Sequence, residues 1–356
     1  MRKDNLYHLW GEDDNQGDEE HPNSEDILLG DDPPFEESEE DEPDLEWPDR
    51  TGELIAEIAE ELREAAGNRE FATFEEFEAF ADDHFRKRNE APVDQFEGLS
   101  PVQMASLLQE PFDAPDWVTF PETLDTVPEA PVAFLFEQLA TAIGEKGLKT
   151  TAKGNLPRNV CRDTALAYWG EVVYREQTRF AGINKEEDFS PLHIVRLLAG
   201  LAGLTRKYRG RILLTRRAKS LLSGPGLAGI YPALLRAFAT RYNWGYTDGF
   251  PDFYIIQESF AFSLFALSRY GDVDRPNQFY EDIFLRAFPM AVEEAAPHIG
   301  SQEHDTRLCY TLRTLHRFAV FFGLASMTGT STGLLDDTYT VRKLPLLDSV
   351  VQFHLE

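Results

Sequence analysis

From Thr51 onward the apolar residues fall into runs with helical or alternating spacing, whereas the fifty residues before them do not. "TGELIAEIAEELREAAGN" sets Leu54, Ile58 and Leu62 on one helical face, with Thr51 as N-cap and Gly67-Asn68 as the stop. "TFEEFEAFADDHFRKR" repeats Phe74, Phe77, Phe80 and Phe85 at roughly helical spacing, an aromatic stripe of the kind that forms core or a docking face. In "LSPVQMASLL", Ser100 caps and Pro101 takes the first helical position. The proline-punctuated "EPFDAPDWVTFPE" closes this helical N-terminal segment, residues 51–130.

The pattern changes at Pro131. "VAFLFEQLATAIGEKG" predicts a helix ending at Gly144 or Gly147, and "LKTTA" alternates like a short strand. Gly154 then relaxes a corner, Asn155 caps, and Pro157 sits in the first turn of a helix that turns Val160, Ala165, Trp169 and Val172 inward. A third helix, "SPLHIVRLLAGLAGL", is capped by Ser190-Pro191. After it "TRKYRGRILLT" reads as a hairpin turning at Arg209-Gly210, and Thr215 caps one more helix. Helix, strand, helix, helix, hairpin is the order of a winged helix, here residues 131–225. Residues 226–356 predict an α-helical bundle from four Phe-, Leu- and Tyr-rich runs, with "YTVRKLPLLDSVVQFHLE" docking back as a strand and short helix. The fold class expected is mainly α: a helical N-terminal segment, a winged-helix-like middle domain with a small β-hairpin, and a C-terminal helical bundle.

Charge sharpens this division. The formal net charge is −29, but residues 1–130 hold 40 acidic and 8 basic side chains, residues 131–225 hold 8 and 16, and residues 226–356 hold 15 and 10. One basic segment is thus embedded in an acidic chain, a distribution that salt adaptation would not produce. Residues 1–50, rich in Asp, Glu, Pro, Asn and Ser, carry too little apolar surface to offset ordering entropy and are expected to be a disordered acidic tail. Two distant cysteines, Cys161 and Cys309, form neither a disulfide framework nor a metal cage and point to a reducing, cytoplasmic compartment. The start has no apolar signal region, and no run of 18 apolar residues predicts a membrane span.

The motif "GLKTTAKGNLPRNV" has a lysine beside a glycine, but a phosphate loop needs GxxxxGK and then Ser or Thr; here the lysine precedes the glycine. A strand-to-helix corner is the better reading. "GLASMTGTSTGLL", with Gly323, Gly329 and Gly333, reads as a helix end and flexible turn. His298, His304 and His316 with Cys309 match no zinc spacing, no GxSxG elbow occurs, and the acid pairs Asp82-Asp83 and Asp336-Asp337 read as solvated ends; neither metal nor cofactor is expected. One cluster has physical direction: Arg206, Lys207, Arg209 and Arg211 on the wing, with Arg216 and Arg217 beside it and Lys149, Lys153 and Arg158 at the corner. Cations grouped this way neutralise phosphates and release counterions. The third helix offers only His193 and Arg196 to base edges, which predicts poor sequence discrimination.

"GLSPVQMASLLQEPFDAP", "GLKTTAKGNLPRNV" and "GLAGLTRKYRGRILLTRRAKSLL" together resemble a bacterial family without an assigned reaction. Its members carry a near copy of "GLKLTAKGNLPR", and some relatives are fused to a SEC-C-type zinc-binding tail or a plasmid-borne open-reading-frame domain. The likeness spans roughly residues 95–320. The cysteine-rich tail is missing here, so zinc binding is not implied.

The expectation is a non-enzymatic cytoplasmic protein whose winged helix contacts DNA or RNA through the backbone, with the acidic tail as a competing polyanion. Two rivals stand beside it. One is a protein-interaction scaffold with a structural winged helix and a partner on the Phe-rich helices. The other is an enzyme built on Tyr242, Trp244, Tyr246, Asp248 and Asp252 in the bundle.

Overall fold

The computed structural model describes residues 50–246, 248–250, 253–294, 301–330 and 338–355. The acidic tail, Asp252, His298, Gly333 and the pair Asp336-Asp337 lie outside the described residues. The described chain forms two units, divided after Glu90.

The first unit is a helix pair, α1 (Arg50–Ala66) and α2 (Phe74–Glu90). α1 starts one residue before Thr51, so Thr51 lies within the helix rather than capping it. Gly67 adopts φ 53° and its N–H returns to the Arg63 carbonyl, which ends α1 at the expected place. The pair is held by Glu61, which accepts from His84 at 2.8 Å and pairs with Arg88. Phe71 packs on Phe77 and Phe80 at 5.3 and 5.2 Å between ring centres. Of the aromatic stripe, Phe77, Phe80 and Phe85 are half-buried and Phe74 is exposed.

The second unit begins with α3 (Pro101–Gln109), where Ser100 and Gln103 form the reciprocal capping box. A two-residue strand, β1 (Val118–Thr119), lies in the proline-rich stretch that the sequence pattern reads as a loop. Then come α4 (Pro131–Ile143), β2 (Leu148–Lys149), α5 (Arg158–Gln177), α6 (Ser190–Leu201), β3 (Thr205–Tyr208), β4 (Arg211–Leu214) and α7 (Arg216–Ser223). The strands form one antiparallel sheet in the order β2-β4-β3, which completes the winged-helix arrangement. Thr215 caps α7 through the Ala218 N–H, as expected.

Three local expectations fail here. Pro157, not Asn155, occupies the N-cap position of α5; Asn155 instead donates to Glu187 at 2.8 Å. Ser190 donates to the Glu187 carbonyl and is not the N-cap of α6, a position that Phe189 takes directly after a 3₁₀ turn. Ala165 is buried as expected, but Val172 is 72% exposed. The cause is Gly170, whose φ of 73° breaks α5 and takes the residues beyond it off the inward face.

The chain continues with α8 (Leu227–Thr240), α9 (Tyr254–Glu258), α10 (Phe260–Tyr270), β5 (Arg275–Pro276), α11 (Asn277–Ala287), α12 (Met290–Glu294) and α13 (Gln302–Tyr310), which runs on as a π-helix over Thr311–Val320. β6 (Ala325–Thr330), β7 (Thr338–Lys343), α14 (Leu346–Val350) and β8 (Gln352–Phe353) complete it. Within "GLASMTGTSTGLL", Gly323 (φ 70°) follows the helix end as expected, but Ala325–Thr330 form a strand in a sheet of order β5-β7-β6, and residues 331–335 lie outside the described residues; β8 pairs with β1. Pro232 lies inside α8 and has no N–H for the Ala228 carbonyl, which accepts from Leu124 at 3.0 Å instead. The core is aromatic: Phe238, Trp244, Phe318 and Phe322 stack within 5.1–5.6 Å of a neighbour. α8 packs on α4 and α6, so the bundle and the winged helix share this core. Among the described residues no helix is long and apolar enough to cross a membrane.

Gly147 joins α4 to β2 at φ 76°, and a Cβ there would stand 2.9 Å from the Ile212 carbonyl oxygen on β4. Gly147→Ala is expected to lower stability by about 1–3 kcal/mol, measured by urea unfolding.

Candidate nucleic-acid interface

The wing forms because Arg209 (φ 47°) and Gly210 (φ 68°) both take the left-handed conformation, which matches a two-residue turn to the strand twist. Register then decides which side chains share a face. Lys149 on β2 stands opposite Arg211 on β4, and Arg211 opposite Tyr208 on β3. Directly paired residues project to the same side, so these three form one row across the sheet. Arg206, two residues back on β3, shares that side. The Arg206 and Arg209 guanidinium groups lie 5.4 and 5.0 Å from the centre of the Tyr208 ring.

Lys207 pairs with Ile212 and so projects from the side of the sheet opposite Arg206 and Tyr208, yet it is exposed and lines the groove between the wing and the corner. Desolvation there holds its ammonium pKa below the ordinary 10.5. Two other cations are engaged with backbone: Arg211 donates to the Gly147 carbonyl at 2.9 Å and Arg217 to that of Ala202 at 2.9 Å. Lys153, Arg158 and Arg216 are exposed, at the corner and at the first residues of α5 and α7. Among the described residues no carboxylate pairs with Lys149, Lys153, Arg158, Arg206, Arg209, Arg211, Arg216 or Arg217.

Between the wing and the corner runs a groove of about 800 Å³, lined by Lys149, Thr150, Thr151, Gly154, Tyr208, Arg209 and Arg211, among others. Thr150 closes one end, with its N–H and hydroxyl both donating to the Gly210 carbonyl, at 3.0 and 3.1 Å. The corner itself does not cradle a phosphate. The Gly154 N–H bonds Thr151 O, the Asn155 N–H bonds Thr151 Oγ1, and the Leu156 N–H bonds Glu186, so the amides that would wrap an anion are already engaged.

The third helix is closed to bases. From Pro191 to Ala199 every residue of α6 is buried. His193 donates through Nδ1 to Glu186 Oε1 at 2.7 Å, and Arg196 donates to the same oxygen. Glu186 is fully buried, and the sequence reading passed over it. Burial pushes its carboxyl pKa up, but the His193 hydrogen bond, the Arg196 charge and the Leu156 N–H outweigh that and leave it below the ordinary 4.5. A signal for it existed: a histidine and an arginine three residues apart on an otherwise apolar helix require a buried acid.

The bundle residues read as a rival catalytic cluster are structural partners. Asp248 holds Arg313 through two bonds of 2.7 and 3.0 Å, with Arg317 at 3.6 Å. The Trp244 indole donates to the Phe238 carbonyl at 2.8 Å, Tyr242 is buried, and the Tyr246 hydroxyl faces His193 Nε2 at 3.3 Å. Cys161 and Cys309 are buried, and desolvation pushes the Cys161 thiol up to about 12 and Cys309 higher still. Among the described residues no three His, Cys, Asp or Glu side chains are grouped to hold a metal.

Residues 131–227 match the model of the Y4jL N-terminal domain. That stretch contains both the corner and the wing and ends at the first residue of α8. Neither the curated proteins nor the solved structures yield a match.

Glu186→Gln is expected to destabilise the protein by about 3–5 kcal/mol, because Arg196 loses its buried counter-charge. The folded carboxyl titrates below 4.5, so the unfolded chain binds the extra proton. The stability that Glu186 contributes is then full above pH 4.5 and lost as pH falls through the folded pKa. Urea midpoints of the two proteins should converge on acidification from pH 7.

Proposed function

We propose that the wing binds the phosphate backbone of nucleic acid without reading base sequence. The observation that carries this reading is the row Lys149–Arg211–Tyr208 with Arg206 and Arg209 against the ring, exposed and without a carboxylate partner among the described residues. On a chain of net charge −29, such a surface is the feature that would attract a polyanion. The burial of α6 supports the absence of base readout, since the helix that enters the major groove in other winged helices is covered here. The proposed setting is the cytoplasm, where both free thiols stay reduced.

A second reading, protein docking, has its own observation: Val172 near the end of α5 is 72% exposed, Phe180 just beyond that helix is 92% exposed, and Phe74 on α2 is 74% exposed. One experiment separates the two. The double variant Arg206→Glu, Arg209→Glu of the full chain, titrated with labelled nucleic acid over a range of salt, is expected to lose affinity about ten-fold or more and to flatten the salt dependence by roughly one to two units of slope. An unchanged affinity and slope would remove the nucleic-acid reading and leave docking as the better account.

The acidic segment fits this function as an intramolecular competitor. Residues 1–49 carry 20 acidic and 2 basic side chains, a tethered polyanion at high effective concentration. Deleting them is expected to raise affinity for nucleic acid at low salt, with the difference vanishing at high salt as screening removes the competition. Equal affinity at low salt would exclude that role.

A further inference from the structure

We infer that the partner of the wing is single-stranded rather than duplex nucleic acid, with a base stacked on Tyr208. The inference rests on the backbone-binding reading above and adds the strand state. Three observations lead to it. First, α6 is buried along its length, which removes the contact that gives winged helices their hold on a major groove. Second, Tyr208 is 47% exposed on the edge strand β3 with Arg206 and Arg209 against its ring, although β3 could carry any strand-forming residue there. An aromatic ring flanked by Arg206 and Arg209 and aligned with Arg211 and Lys149 is a stacking platform beside phosphate contacts, the combination by which single strands are held. A paired duplex presents no free base face to such a ring. Third, the platform borders a groove of about 800 Å³ with small groups at Thr151, Gly154 and Gly210, room enough for a splayed nucleotide.

The geometry also divides the work. Arg211 stands on the strand beside Tyr208 and Lys149 on the strand beyond that, while Arg206 and Arg209 lie against the ring itself, so phosphates next to a stacked base meet a cation. Thr150 pins the corner to the wing tip through Gly210, which keeps the two walls of the groove in fixed register. Stacking on one ring tolerates every base, in keeping with the absence of a base-reading helix.

The test uses the full-length protein and fluorescence anisotropy with labelled strands of about twelve nucleotides, oligo-dT and oligo-U, and a duplex of equal length. Both single strands should bind more tightly than the duplex. Tyr208→Ala should weaken single-strand binding about ten-fold and leave duplex binding within two-fold, while Tyr208→Trp restores it. A tighter oligo-dT or oligo-U then identifies DNA or RNA as the source of the strand. Since Tyr208 is half exposed, an unchanged urea midpoint in Tyr208→Ala establishes that the fold is intact. Duplex binding as tight as single-strand binding, or no effect of Tyr208→Ala while charge reversal at Arg206 and Arg209 still abolishes binding, would overturn the strand assignment alone. No binding to any of the three would overturn the backbone reading with it.

Discussion

The buried carboxylate of Glu186 is the interaction on which the candidate surface depends. It lies at the convergence of three segments: the corner through the Leu156 N–H, α6 through His193 and Arg196, and the loop that carries it between α5 and α6. A carboxylate removed from water must be matched by donors of comparable strength, and these three supply an ionic partner, an imidazole and a backbone amide. Each of them is then fixed in direction. The corner cannot swing without breaking the hydrogen bond from the Leu156 N–H to Glu186, and the corner forms one wall of the groove. Through His193 and the Tyr246 hydroxyl the same set reaches the 242–250 segment, where Asp248 anchors Arg313.

This arrangement has a cost in function for α6. In a winged helix that reads bases, the third helix keeps its polar side chains in solvent. Here the two polar side chains in the middle of α6 satisfy Glu186, and the apolar ones pack on α4 and α8. What would be a reading head has become the centre of the core. The wing and the corner, which project beyond that core, retain solvent access and positive charge. A surface of that kind attracts a phosphate chain through long-range attraction and short contacts, with discrimination left to the conformation of the chain rather than to its sequence.

The parts of the fold legible in the sequence were those fixed by local chemistry. The cap at Ser100, the turn at Arg209-Gly210 and the cap at Thr215 depend on residues within a few positions of one another, and each formed where the spacing placed it. The failures have non-local causes. Asn155 has the chemistry of a cap, but Glu187, 32 residues away, takes its amide. Val172 continues the helical period of Val160 and Ala165 until Gly170 breaks the helix. β6 is poor in apolar residues and rich in small ones, and is a strand through its pairing with β7 along its whole length. Of the candidate surface, the cluster was visible as a run of charge; Tyr208, which sits inside that run, carried no signal until the register was known.

Register also changes what the charge means. A count of cations along "TRKYRGR" treats Arg206, Lys207, Arg209 and Arg211 as equivalent. The strand alternates sides, so Lys207 projects from the side opposite Arg206 and Tyr208, and Arg211 reaches back to carbonyls at Gly147 and, more distantly, Lys146. Arg206 and Arg209 remain, both against an aromatic ring. Stacking on that ring limits the directions the guanidinium groups can take and lowers the entropy lost when they meet a phosphate. A disordered basic run of the same composition would offer more charge and less geometry. On the proposed reading, the placement of Tyr208 between its arginines favours a ligand that offers both a free base face and an anionic backbone; a duplex exposes its phosphates but hides its base faces, and a single strand displays both.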